Sequence, residues 1–148
     1  MAFKKVKVNF HHIKNENTGD DSGDQLEIFG RFDVARLVFD PDIGEILSFD
    51  NQNLFDVSSD NAIDLEQGAA FVVDRSAVLT INDGEILQIT GHVLDEDDTF
   101  GGSDDDMGTL DARFNLGEIS NGLVSIGNFQ ESDQIVSVKM SFQILAQG

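Results

Sequence analysis

Two stretches of this 148-residue chain crowd carboxylates together at spacings that suit a hard divalent cation. The first runs Asn15-Glu16-Asn17-Thr18-Gly19-Asp20-Asp21-Ser22-Gly23-Asp24, just ahead of Leu26-Glu27-Ile28. The second begins Asp95-Glu96-Asp97-Asp98, passes Thr99-Phe100-Gly101-Gly102-Ser103, and ends Asp104-Asp105-Asp106-Met107-Gly108. Calcium (Ca2+) takes about six to eight oxygen ligands, mainly carboxylates and carbonyls, in a flexible cage. On an extended segment every second side chain points the same way, and glycines allow the chain to fold back. Asp95 and Asp97 can therefore face one ion together, with Asp105 returning from the far side.

The competing readings of these residues are weaker. An EF-hand beginning at Asp95 needs Gly at its sixth position and Glu at its twelfth; Phe100 and Asp106 stand there, with strand patterns on either side. A solvated acidic turn is the plain alternative for each stretch, because Asp, Gly and Ser are ordinary turn residues. Asp56, Ser58 and Asp60 form a third acidic segment that reads as a polar connection. Adjacent strand residues face opposite ways, so His11 and His12 do not make one zinc site, and His92 reads as a surface strand residue. No nucleophile–base pair, phosphate-binding glycine loop or separable carboxylate pair stands out, so the chain is read as non-enzymatic.

The charge balance narrows the partners. There are 28 acidic residues against 9 basic ones, a formal net charge of −19. Clustered carboxylates must splay into water, take up protons or hold cations. Nucleic acid, which needs a basic surface, is excluded as a partner, and purely electrostatic binding to anionic lipid is disfavoured. The chain has no cysteine, so disulfides and thiolate metal sites are excluded. The opening residues alternate as a strand and lack the apolar core of a signal peptide, and no window reaches the length of a transmembrane span. The cysteine-free, acid-rich composition suits an extracellular or secreted bacterial protein.

The elements that must position the acidic stretches have a period of two. Val6, Val8 and Phe10 alternate, as do Leu26, Ile28, Phe32 and Val34, then Leu37 and Phe39. Further runs cover Ala70–Val73, Ala77–Ile81, Leu87–Val93, Leu110–Leu116 and Ile135–Leu145. Asp40-Pro41-Asp42-Ile43-Gly44 and Asn82-Asp83-Gly84 are strong turn signals. The stretch from Leu47 to Ala70 is polar, with a short strand or helical turn near Leu54–Val57. Lys4, Lys5 and Lys7 read as a solvated edge strand. The pattern predicts one all-β domain over residues 1–148, an antiparallel β-sandwich of about eight strands.

In this frame the acidic stretches resemble the calcium sites of a C2 domain, a β-sandwich of the Greek-key or jelly-roll kind found in many membrane-targeted proteins. One loop of that family carries two Asp before a strand. A later loop carries Asp-x-Asp, a spacer and Asp-x-x-Gly. Gly19-Asp20-Asp21-Ser22-Gly23-Asp24 resembles the first, and Asp95-Glu96-Asp97 through Asp105-Asp106-Met107-Gly108 the second, with a longer spacer. The resemblance implies Asp95, Asp97 and Asp105 as ligands, together with Asp24 and either Asp20 or Asp21. It departs from the family at Gln25-Leu26, where an aromatic is usual, and in lacking the lysine-rich strand that binds phosphoinositides in many members. It implies a module that binds calcium ions and then a phospholipid or protein partner, with Phe100 available to insert into a bilayer. The alternative is a structural or adhesive module of a bacterial toxin, surface protein or phage-like particle, in which calcium only stabilises or is absent.

Overall fold

A computed structural model describes residues 1–19, 25–96 and 104–148. Ten strands follow in chain order: β1 (Phe3–Asn17), β2 (Gln25–Asp40), β3 (Glu45–Val57), β4 (Ile63–Glu66) and β5 (Ala70–Asn82), then β6 (Ile86–Asp95), β7 (Asp105–Asn115), β8 (Gly122–Val124), β9 (Asn128–Glu131) and β10 (Gln134–Gln147). The first sheet has the order β5-β1-β10-β8, with β9 also paired to β10; the second has β3-β2-β6-β7, with β4 also paired to β2. Every ladder is antiparallel. The two sheets close over one core, so the chain is an all-β antiparallel sandwich.

The alternating runs are the buried faces of these strands. Val6, Val8 and Phe10 of β1 meet Leu26, Ile28, Phe32 and Val34 of β2 and Leu87, Ile89 and Val93 of β6 within that core. Phe32 is its aromatic centre, edge-on to Phe10 at 4.9 Å and to Phe129 at 5.6 Å. Its ring lies against Gly91, the residue opposite it on β6. A Cβ at Gly91 would come within 2.4 Å of that ring. At Gly30, with φ +143°, a Cβ would fall 1.9 Å from the His92 carbonyl oxygen, which belongs to backbone and cannot swing aside.

Several sequence expectations change. The run from Leu26 to Phe39 is one strand, as is that from Ala70 to Ile81. The stretch between Leu47 and Ala70 contains most of β3 and all of β4. β3 escapes a period-two reading because it is largely exposed, Asp50 sits at φ +56°, and Leu54 and Phe55 are buried consecutively. Asn82-Asp83-Gly84 is a turn, with Glu85 N–H on the Asn82 carbonyl, yet it joins β5 to β6 in the other sheet and closes no hairpin. β1 is internal, between β5 and β10, so its lysines are not on an edge. A bulge between Phe10 and His12 shifts the inward phase from Phe10 to Ile13. His11 and His12 are therefore both left outside the core, contrary to their expected separation on opposite faces.

At the end bearing the β2–β3 turn, Glu85 is 8% exposed and paired with Arg36, which also reaches Asp50 at 2.9 Å. Burial pushes the Glu85 carboxyl up, but the Arg36 hydrogen bond and the Asn82 N–H outweigh it, and its pKa is lowered. A carboxylate lowered in the folded state contributes stability above its ordinary pKa and loses it as pH falls through the folded value. The melting temperature should therefore fall as pH drops below 4.5, the ordinary value for this group. Arg36→Met should cost about 2 kcal/mol at neutral pH and flatten that acid dependence. Gly91→Ala should destabilise by about 1–3 kcal/mol in denaturant titration through overpacking against Phe32.

Candidate metal centre

β2 and β6 bring the described flanks of the two acidic stretches to one end of the sandwich. Ile28 is paired with Asp95, so the start of β2, just after segment 20–24, lies beside the end of β6, just before segment 97–103. Two hydrogen bonds fix this register beyond the ladder: Glu27 N–H donates to Asp95 Oδ1 at 2.8 Å, and Glu96 N–H donates to the Glu27 carbonyl at 2.8 Å. β6 and β7 then set Asp95 directly opposite Asp105, and Leu94 opposite Asp106.

Strand parity separates Asp95 and Asp105 from Asp106. Asp95 and Asp105, as cross-strand partners, share the face that also bears buried Met107. Asp106 points the other way, accepting from Gly108 N–H at 2.9 Å and lying 2.9 Å from His92 Nε2. The Gly108 N–H first, and His92 second, hold its carboxyl below the usual range. Partners in an antiparallel ladder have Cα atoms about 4.5–5.5 Å apart. Carboxylates from partner positions on one face repel each other, and a cation between them would relieve that repulsion.

Asp95 is only 1% exposed, and both of its oxygens have protein partners: Oδ2 also receives Gln134 Nε2 at 3.4 Å. The surrounding interior is polar. Asn15 is fully buried, its Nδ2 donating to Thr18 Oγ1 at 2.9 Å and to the Leu65 carbonyl at 2.8 Å. Its Oδ1 has no hydrogen-bond partner among the described residues. Thr18 N–H donates to Gln67 Oε1 at 3.2 Å. Gly19, at φ +70°, lies so close to the β9–β10 turn that a Cβ there would come within 2.5 Å of Asp133 Oδ1.

Of the sequence candidates, Asp95 and Asp105 are therefore brought together, while Asp20, Asp21, Asp24 and Asp97 lie outside the described residues, as does Phe100. Among the described residues no group of three or more His, Cys, Asp or Glu is arranged to hold a metal. Asp56 is on β3, 3.5 Å from Arg31, and Ser58 and Asp60 lie in a turn beside β2 between its Ile28 and Gly30 pairings, level with Asp95 but on the flank of β2 opposite β6. Sequence reasoning put Asn15 at the head of the first acidic stretch without foreseeing its burial, and missed Asp133 and Gln134. Glu131-Ser132-Asp133-Gln134 carries a turn signal, but nothing local says that this turn meets Gly19. Burial of Asn15 is set by β4 and the turn before β5, which have no clear pattern of their own.

No protein-family model matches the chain, and no curated protein matches it. Among solved structures it is similar to human GIVD cytosolic phospholipase A2, with a TM-score of 0.42 and 14% identity over 97% of this chain and 16% of that one. It is similar also to CC2D1B, described as coordinating ESRCT-III activity during the mitotic reformation of the nuclear envelope, with a TM-score of 0.43 and 8% identity over 95% of this chain and 55% of that one. The chain thus spans less than two thirds of either structure.

Asp95→Ala should cost about 2–3 kcal/mol in metal-free buffer, by removing the carboxylate that accepts from the Glu27 N–H and the Gln134 amide. Asp95→Asn should lose less, because its oxygen still accepts from Glu27 and the Gln134 amide can turn to accept from its nitrogen. Chemical denaturation with chelator present measures both.

Proposed function

We propose that this chain is a non-enzymatic, C2-like calcium-binding module whose ions sit where segments 20–24 and 97–103 leave the sandwich. The observation that supports it is the Asp95–Asp105 pairing next to the start of β2, on an end whose interior is already polar. Asp97 and Asp24, with Asp20 or Asp21, are the further ligands in this reading. Calcium neutralises carboxylates that otherwise repel, and it presents that end to a phospholipid or protein partner.

Because the ions bind the folded state alone, calcium at about 100 times its Kd should stabilise by about 2.7 kcal/mol. A melting curve in millimolar calcium should lie above the curve in chelator, and Asp95→Asn and Asp97→Asn should each remove most of the difference. An unchanged midpoint for the wild-type chain sinks the proposal.

One observation favours the rival reading of a structural sandwich. Asp95 already braces β2 and Gln134 without any ion. In that case Asp95→Asn shifts stability equally in calcium and in chelator.

A further inference from the structure

The two sheets differ in charge far more than the composition predicts. The strands of the first sheet hold Lys4, Lys5, Lys7, Lys14, Arg75 and Lys139, six of the nine basic residues of the chain. The same strands hold only Glu16, Asp74 and Glu131 of its 28 acidic residues. Lys4 turns inward, donating from Nζ to the carbonyls of Leu116 and Ile119 at 2.7 Å each. Val6, Val8, Phe10 and Ile13 also face inward, which leaves Lys5, Lys7, Asn9, both histidines and Lys14 along the outside of β1. Lys139 of β10 stands beside His12. Among the described residues Glu16 alone pairs with this row, 3.7 Å from Lys14.

The row is narrow and linear. From Lys5 to Lys14 it extends about 30 Å along one strand, with Lys5 and Lys7 about 7 Å apart. Carboxylates at alternate positions of an extended polypeptide have that same spacing. Among the flanking side chains, Ser76 and Ser141 stand beside Asn9, Ser137 beside Lys14 and Gln143 beside Lys7, with Val78 beside Lys7 and Val72 beside His12; Ser141 is also bonded to His11 and Ser137 to Glu16. A membrane plane or a nucleic-acid duplex is far wider than this row. It would also face the acidic remainder of a chain of net charge −19, repelling across a Debye length of about 8 Å.

We propose that the outer face of the first sheet docks an acidic polypeptide segment in extended form along β1. Its carboxylates pair with Lys5, Lys7, Lys14 and Lys139, and its amides bond the flanking Ser, Asn and Gln side chains. This surface lies on a sheet face, and it requires no calcium at the end of the sandwich.

The test is fluorescence anisotropy of a labelled peptide alternating Glu and Ser, titrated with the full chain in chelator. Binding should be saturable, should weaken at least tenfold between about 50 and 500 mM salt, and should be lost on Lys5→Glu/Lys7→Glu/Lys14→Glu. The milder Lys5→Gln/Lys7→Gln/Lys14→Gln variant, with a melting midpoint near that of the wild type, should also bind at least tenfold more weakly. Arg31→Gln/Arg113→Gln, on the other sheet, should bind as the wild type does. No saturation at millimolar protein, or equal affinity in the Gln triple variant, overturns the proposal. So does tighter binding to phosphatidylserine vesicles or single-stranded oligothymidine than to the peptide. Failure of the calcium melting shift leaves this outcome untouched, and the reverse holds as well.

Discussion

The Asp95 carboxylate is the point on which the acidic end of this molecule is organised. It lies at the last residue of β6, nearly removed from water, and a buried charge without partners would be costly. The Glu27 N–H and the Gln134 amide meet that demand from two directions, one from each sheet. One side chain thereby ties the start of β2, the end of β6 and the start of β10. Sliding β2 by one residue would break this bond and turn the Leu26, Ile28 and Phe32 side chains out of the core. The register that packs the hydrophobic centre is thus the same register that sets the start of β2 beside Asp95 and Asp95 opposite Asp105.

Charge imposes the second organisation. A chain with 28 acidic and 9 basic residues cannot disperse its carboxylates evenly without putting some of them on every face. Here the first sheet is nearly spared, and the segments between strands and the second sheet carry the rest. Where acids enter the second sheet they are partly answered locally: Asp33 and Asp56 by Arg31, Asp50 and Glu85 by Arg36, and Asp111 by Arg113. Most of these pairs are exposed and contribute little to stability. Their effect is to limit repulsion on a surface that would otherwise be uniformly negative.

The outer strands show how a sandwich of this kind limits unwanted pairing. β3 and β5 are edges of different sheets and run beside each other on one flank. Each contains a residue with positive φ, Asp50 in β3 and Asp74 in β5, which interrupts a regular edge. Gln52 of β3 places its amide on the Val78 carbonyl of β5, occupying an acceptor that an incoming strand would use. These irregularities also explain why β3 escapes the period-two reading and why β5 reads as two runs on either side of Asp74.

The sequence by itself determined the all-β antiparallel class, most of the core and the connecting turn at Asp40–Gly44. Each of these is local: a side-chain period of two, or a turn chemistry held within five residues. It also singled out Asp95 and Asp105, because carboxylates at strand ends form a pattern visible along the chain. Only the tertiary structure decided that β1 is internal, that β3 is a strand, that Asn15 is buried and that Gln134 reaches Asp95. The same is true of the basic outer face, since lysines of β1 and Lys139 are more than a hundred residues apart. Strand order and sheet assignment come from pairings between distant segments, and the side chains on one strand do not encode which strand will lie next to it.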